Sequence, residues 1–179
     1  MSFKEADLPG ANFSKASLSK VDFEGANLEK TDFRGAILRL SNFRHAKLEG
    51  ADFRKASFYK VDLAYAAFKN ADLRGAVFKY VTDFEGANFK DADLRGVVFK
   101  YATDFEGANF KDTDLYAANL YGATLSGANF SGANLGSAIL RNTDFTCKQV
   151  EQTLHNEKTR FPHSIKVSKD PEGGILCQD

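Results

Sequence analysis

The sequence predicts an all-β solenoid, a four-sided rod in which every short extended side is followed by a corner. Three observations predict it. Phe or Leu recurs every five residues from Phe3 to Phe145, at 29 consecutive positions, with one residue inserted between Phe78 and Phe84 and one between Phe99 and Phe105. The residue two before each of these centres is almost always small, and is Ala at 19 of them, otherwise Val, Thr, Ser or Met1. Eleven of the 14 Gly lie two after a centre. A helix face needs spacings of three and four, and a lone strand alternates at two, so neither fits a step of five. A centre and the residue two before it share the inward side of an extended segment. Gly two after the centre supplies the positive φ of a corner. Four sides then close a square coil of about 20 residues. Sixteen of the 17 Phe are centres, which explains a composition rich in Phe and devoid of Trp.

The unit A-(D/N)-(L/F)-x-(G/x) resembles the pentapeptide-repeat family over residues 3–145. The resemblance implies a right-handed quadrilateral parallel β-helix. Stacking at the inter-strand spacing gives about seven coils and a rod about 34 Å long. Each buried Phe or Leu contributes on the order of 1.5–3 kcal/mol gross, so the core is ample. Ala71–Asp91 and Ala92–Asp112 match at 19 of 21 positions, which reads as duplication of one coil plus one residue. The insertions near Val81 and Ala102 therefore stack on one corner, where an extra residue bulges outward most cheaply beside another.

The elements divide as a β-helix over 1–146, a helical cap over 147–165 and a flexible tail over 166–179. No N-terminal cap is visible, since Phe3 already belongs to the first coil. That open coil would be covered by a partner, by a second copy in a homodimer, or by polar side chains. At the other end the five-residue rule stops after Phe145. A short helix is predicted from Lys148 to about Asn156, with Val150 and Leu154 on one face over the last coil. Phe161–Pro162 ends regular structure, with Phe161 against the rod. Residues 166–179, KVSKDPEGGILCQD, read as tail. The N-terminal MSFKEADLPGANF shows no apolar leader, so a cytoplasmic protein is expected, with Cys147 and Cys177 as free thiols rather than a pair.

Lys plus Arg number 24 and Asp plus Glu 24, so overall charge does not attract nucleic acid, and direct nucleic-acid binding is not expected. No run approaches 18 apolar residues, so no membrane span is expected. Sorting outward residues by face changes this picture. The face of Phe3 carries Asp22, Asp62, Asp83, Asp104 and Asp144, with four Glu and only Lys4 and Arg44 against them, about −7 in all. The face of Leu18 has no acid and six cations, Lys20, Arg39, Lys60, Lys79, Lys100 and Arg141. It also carries Tyr59, Tyr80, Tyr101 and Tyr121, with Ile37, Leu40, Val77, Val98 and Ile139 pointing outward. Exposed aromatic and aliphatic columns among cations suggest a protein-contact patch or, less directly, an anionic or nucleic-acid partner. The plainer reading is the strand propensity of Tyr and Val. For the acidic column the plainer reading is Asp accepting hydrogen bonds from turn amides. The face of Phe13 sets Asp32, Asp52, Asp72, Asp93 and Asp114 beside Arg34, Arg54, Arg74 and Arg95, a self-neutralising surface.

No catalytic, cofactor or metal site is legible. His45, His155 and His163 have no metal-ligand spacing, and no Gly-rich phosphate loop or G-x-S-x-G element occurs. The expected function is a non-enzymatic protein-interaction or scaffold module. The family resemblance adds an alternative from its quinolone-resistance branch, a mimic of duplex DNA that binds a topoisomerase such as gyrase. That branch is a strongly acidic dimer joined at its C-terminal ends, from which this neutral, C-terminally capped chain departs. The chain also looks like small cyanobacterial members of the family.

Overall fold

The computed structural model describes residues 1–80, 82–100, 103–169 and 174–178. The chain is a β-solenoid, nearly all β with one short helix. Its construction follows from where the five amides of each repeat go, since buried backbone donors must be paired. The centre's amide donates to the next coil, as Phe33 N does to Asp52 O at 2.8 Å. The amide before it donates to the previous coil, Asp32 N to Ala11 O at 2.9 Å. The amide two after the centre again reaches the next coil, Gly35 N to Arg54 O at 2.9 Å. The amide three after closes the corner onto the centre's own carbonyl, Ala36 N to Phe33 O at 3.0 Å. The remaining amide, just after the centre, donates to the Asp or Asn side chain just before it, as Arg34 N does to Asp32 Oδ1 at 2.9 Å. The Asp/Asn in the repeat is thus a turn acceptor, and the same bond recurs at Asn12, Asn42, Asp93 and Asn129.

The ladder fixes one coil above another in register. Asp22 bridges Ser2 below and Asn42 above, and the column continues through Asp62, Asp83 and Asp104 to Thr124. The steps from Asp62 to Asp83 and from Asp83 to Asp104 are one residue longer than their neighbours, so each insertion is absorbed without moving any column. Val81 and Ala102 themselves lie outside the described residues.

Centres and the residues two before them form a single core. Because coils stack at the strand spacing, centres of like kind stack as well. Phe68, Phe89 and Phe110 are near-parallel with centroids 4.8 and 5.0 Å apart, and Phe33 lies 4.7 Å from Phe53. Every described corner from Glu5 to Asn142 places a positive-φ residue two after the centre, and many of these are not Gly. Only the ladder holds Lys55, Leu40 or Tyr65 in a conformation that L-residues disfavour.

The face of Leu18 is built differently. Here pairing runs for three residues, giving the parallel strands β1 (Ser17–Ser19), β2 (Ile37–Arg39), β3 (Ser57–Tyr59), β4 (Val77–Lys79) and β5 (Val98–Lys100) in one five-stranded sheet. No Asp or Asn precedes the centre from Ser17 to Val98. The following corner carries the larger Val21, Ser41, Val61, Thr82 and Thr103 in place of Ala. Val21 N there donates to Ser41 Oγ at 3.2 Å.

At the N-terminal end Phe3, Leu8, Phe13 and Leu18 are only partly buried. The C-terminal end departs from the sequence expectation in three ways. First, the helix is α1 (Cys147–Glu151), shorter than predicted, and Leu154 is 65% exposed. Beyond α1 the chain rejoins the ladder, with Leu154 N donating to Ala133 O at 2.9 Å and Arg160 N to Ala138 O at 2.8 Å. Leu154 therefore stacks on Asn134 in an outward column. The same register puts His155 above Leu135 and Phe161 above Leu140, at positions that hold core centres in other coils. Second, residues predicted as tail form an antiparallel hairpin of β6 (Lys166–Lys169) and β7 (Ile175–Gln178). Third, Cys147 and Cys177 are joined in a disulfide, not free. The thiol expectation rested on compartment alone, whereas β7 packs on α1 and brings the two Cα atoms to 5.4 Å. A capping box joins Thr146 and Gln149, whose Nε2 also donates to Leu125 O and Ala128 O at 3.1 Å. The helix so satisfies carbonyls at the end of the coil beneath.

If the ladder enforces corner geometry, exposed corners should respond to residue type with opposite signs. A Cβ on Gly75 (φ +64°) would meet nothing within 4 Å, yet Gly75→Ala is expected to destabilise by about 1 kcal/mol. Lys55→Gly (φ +59°) is expected to be neutral or stabilising. Denaturant midpoints of the two variants check this.

Candidate interaction surface

The sheet of β1–β5 carries the sequence-predicted contact residues. Strand alternation turns each centre inward and both its neighbours outward, so Ile37 and Arg39, Val77 and Lys79, and Val98 and Lys100 form two parallel columns. Arg39 lies over the Tyr59 ring at 4.8 Å, and Lys60 Nζ is 6.0 Å from it. Tyr80 packs at 5.0 Å from Tyr59. Lys79 and Lys100 are exposed and stand directly above one another. Tyr121, 53% exposed, continues the surface, its hydroxyl accepting from Asn142 Nδ2 at 2.6 Å. Ile37 and Leu40 are each 46% exposed. Tyr101 lies outside the described residues. Among the described residues, ion pairs occur on other faces and none involves Arg39, Lys79 or Lys100.

The acidic face is more heavily committed to structure. Asp22, Asp62, Asp83 and Asp104 each accept the amide two residues on, at 2.9–3.1 Å. Asp144 accepts Leu125 N from the coil below at 2.5 Å. Arg44 pairs with Asp62 at 3.4 Å, and the Asp62 charge raises the guanidinium's proton affinity. The Tyr65 hydroxyl donates to Glu85, which pushes the phenol above its ordinary value despite the opposing Arg44. Among the described residues Asp83, Asp104 and Glu106 have no ion-pair partner, so their negative charge is uncompensated along adjacent coils.

On the face of Phe13 each Arg grips its own Asp and reaches the next coil's. Arg54 is 2.6 Å from Asp52 and 3.5 Å from Asp72, and Arg74 is 2.6 Å from Asp72 and 3.4 Å from Asp93. The Arg34 guanidinium holds the Asp32 carboxyl below its ordinary value. At Asp72 burial pushes the carboxyl up, but the hydrogen bonds and charge of Arg74 outweigh it and the net direction is down.

One family model for pentapeptide repeats matches residues 2–35, 36–75 and 108–146, and another matches residues 73–119. The chain belongs to the pentapeptide-repeat family. HetL, a pentapeptide repeat protein involved in heterocyst differentiation regulation from the cyanobacterium Nostoc, is 23% identical, with 98% of this chain and 92% of HetL covered and a TM-score of 0.39. A trypsin-treated form of QnrB1, a plasmid-mediated fluoroquinolone resistance protein, is 20% identical, with 84% and 90% covered and a TM-score of 0.52. Rfr23 from the cyanobacterium Cyanothece is 20% identical, with 87% and 90% covered and a TM-score of 0.34. At these identities the likeness is one of fold, and of the three the QnrB1 superposition carries it. No curated protein matches the chain.

As in the pentapeptide-repeat pattern generally, the Asp/Asn columns belong to the repeat itself. Among the described residues no group of three or more His, Cys, Asp or Glu is placed to hold a metal ion, and no helix is long and apolar enough to cross a membrane. Sequence reasoning missed the continuation of the repeat beyond Phe145. The signal was present, because steps of five from Phe145 reach Val150 and His155, and the small Thr153 lies two before His155.

The Asp–Arg ladder predicts a pH dependence. A carboxyl depressed in the folded state adds stability that is complete above its unfolded value and is lost as pH falls through the folded one. Replacing Arg34, Arg54 and Arg74, the guanidinium groups that hold Asp32 and Asp72 down, with Gln should lower stability near neutrality. The gap to wild type should close below about pH 4. Denaturation curves across that range check it, and a gap that persists unchanged would contradict it.

Proposed function

We propose that the protein is a non-enzymatic interaction module, a rigid scaffold of about seven coils that docks a protein partner through the basic, tyrosine-bearing face. One observation carries this reading. The in-register sheet of β1–β5 presents exposed Ile37, Leu40, Tyr80 and Tyr121 among cations without counter-charges on their own face. Asp and Asn elsewhere are engaged in capping turn amides, whereas β1–β5 have none, so their outward positions are open to other selection. Tyr and Arg are the residue types that anchor protein interfaces, offering large contact area at low conformational cost. The complementary partner surface is acidic with apolar patches.

A second reading, a DNA mimic that binds a topoisomerase such as gyrase, is favoured by the uncompensated Asp83, Asp104 and Glu106 and by fold likeness to a fluoroquinolone resistance protein. The two readings use different faces and separate cleanly. Tyr80→Ala combined with Tyr121→Ala should weaken partner retention at least about 30-fold, the loss expected for an interface anchor. Arg54→Gln on another face should leave it unchanged. Unaltered retention by the tyrosine variant would reject the basic-face reading. Inhibition of gyrase supercoiling that is lost on Asp83→Asn with Asp104→Asn would favour the second reading instead, since Asn keeps the turn bond and removes the charge.

A further inference from the structure

Between the last coil and the hairpin lies a cleft of about 850 Å³, within the range of small-molecule sites. Its origin is the degenerate final coil. Elsewhere the inward centres are Phe or Leu, with Ala, Val, Ser or Thr two before them, and these side chains fill the interior. Here the inward positions fall to His155 and Phe161, and six residues rather than five separate them. The hairpin crosses above with Ile165 and Val167 packed on the core, and leaves the space beside them open.

The walls differ in kind. The apolar lining is Phe161, edge-on to His155 at 5.2 Å, with Val167 and Ile175. The other is cationic. Arg141 and Arg160 extend the outward columns of the basic face into the cleft, Arg160 bridging Ile139 directly. Lys169 and His163 reach the cleft from the cap, and among the described residues Glu157 is the single carboxylate lining it. Among the described residues none of these four basic groups is ion-paired. His155 Nδ1 is buried in the wall with no hydrogen-bond partner in the described structure. Burial holds the His155 imidazole below its ordinary value, and the Lys169 charge adds to this, while the Thr153 backbone opposes it.

We propose that this cleft binds a small organic anion, a phosphate or carboxylate carried on a flat apolar ring, with the ring against Phe161 and the anion facing Arg141, Arg160 and Lys169. Planar guanidinium groups suit either oxyanion. The wall that bears Ile175 is fixed by the Cys147–Cys177 disulfide, which ties β7 to α1. Binding should therefore weaken when that bond is replaced by serines.

Titration of the full chain followed by amide NMR tests the assignment, with phenyl phosphate, benzoate, inorganic phosphate and phenol as probes. Phenyl phosphate or benzoate should give saturable shifts confined to residues 139–142, 153–169 and 175–178. Its affinity should exceed that of inorganic phosphate and of phenol by at least about tenfold. Arg160→Gln with Lys169→Gln, both exposed and outside the core, should weaken binding at least about tenfold while the spectrum of the rod stays unchanged. Cys147→Ser with Cys177→Ser should weaken it too, again without change in the rod. Non-saturable shifts, equal binding of phenol, or an unaltered affinity in the arginine–lysine variant would overturn the proposal.

Discussion

The pitch of one coil, set by amide–carbonyl bonds between coils, is the constraint from which the rest of the structure follows. Parallel pairing places each coil one strand spacing above the last. Phe rings at equivalent centres then lie 4.7–5.2 Å apart along the Phe13 and Leu8 faces, a stacking distance they would favour on their own account. Backbone and core therefore ask for the same geometry. The five amides of each repeat leave one donor over, and the Asp or Asn before the centre accepts it. A residue type that looks like surface decoration is thereby tied to the fold.

That division explains how a neutral protein becomes electrically sided. Asp is repeated because the corner needs an acceptor, and stacking converts the repetition into columns of like charge. On one face Arg answers each Asp twice, in its own coil and in the next, and the charge cancels. On the face of Phe3 few cations answer, and on the face of Leu18 the acceptor is absent and cations gather among tyrosines. The absence of Asp on that last face accompanies its longer strands and the bulkier residues at its corner. Surface chemistry and backbone geometry change together there.

The rod was legible in the sequence because its period, its small residues and its glycines all report one geometry. The Phe/Leu step located the buried centres up to Phe145, and Asp or Asn before the centre located the turn acceptors. The cap was not legible for equally physical reasons. A rule keyed to Phe and Leu stops at Phe145, although Val150, His155 and Phe161 still occupy inward positions. Leu154 looks like the apolar partner of Val150 at helical spacing, yet the ladder reclaims the chain after Gln152 and turns Leu154 outward. The hairpin is a long-range consequence of docking on α1, and composition alone reads KVSKDPEGGILCQD as tail. Pairing of Cys147 with Cys177 follows from that docking and has no local signal. Of the proposed contact residues, Arg39, Tyr59, Tyr80, Lys79, Val98, Lys100 and Tyr121 share the basic face as the period required.

The central claim is that the basic face, and not the acidic one, meets the partner. Hydroxyl-radical footprinting of tyrosines tests it most directly, because the described tyrosines are distributed over three faces. In the partner complex Tyr59, Tyr80 and Tyr121 should be protected, with Tyr65 on the acidic face and Tyr116 on the Asp–Arg face reacting as in the free protein. Protection of Tyr65 while Tyr80 and Tyr121 stay reactive would contradict it.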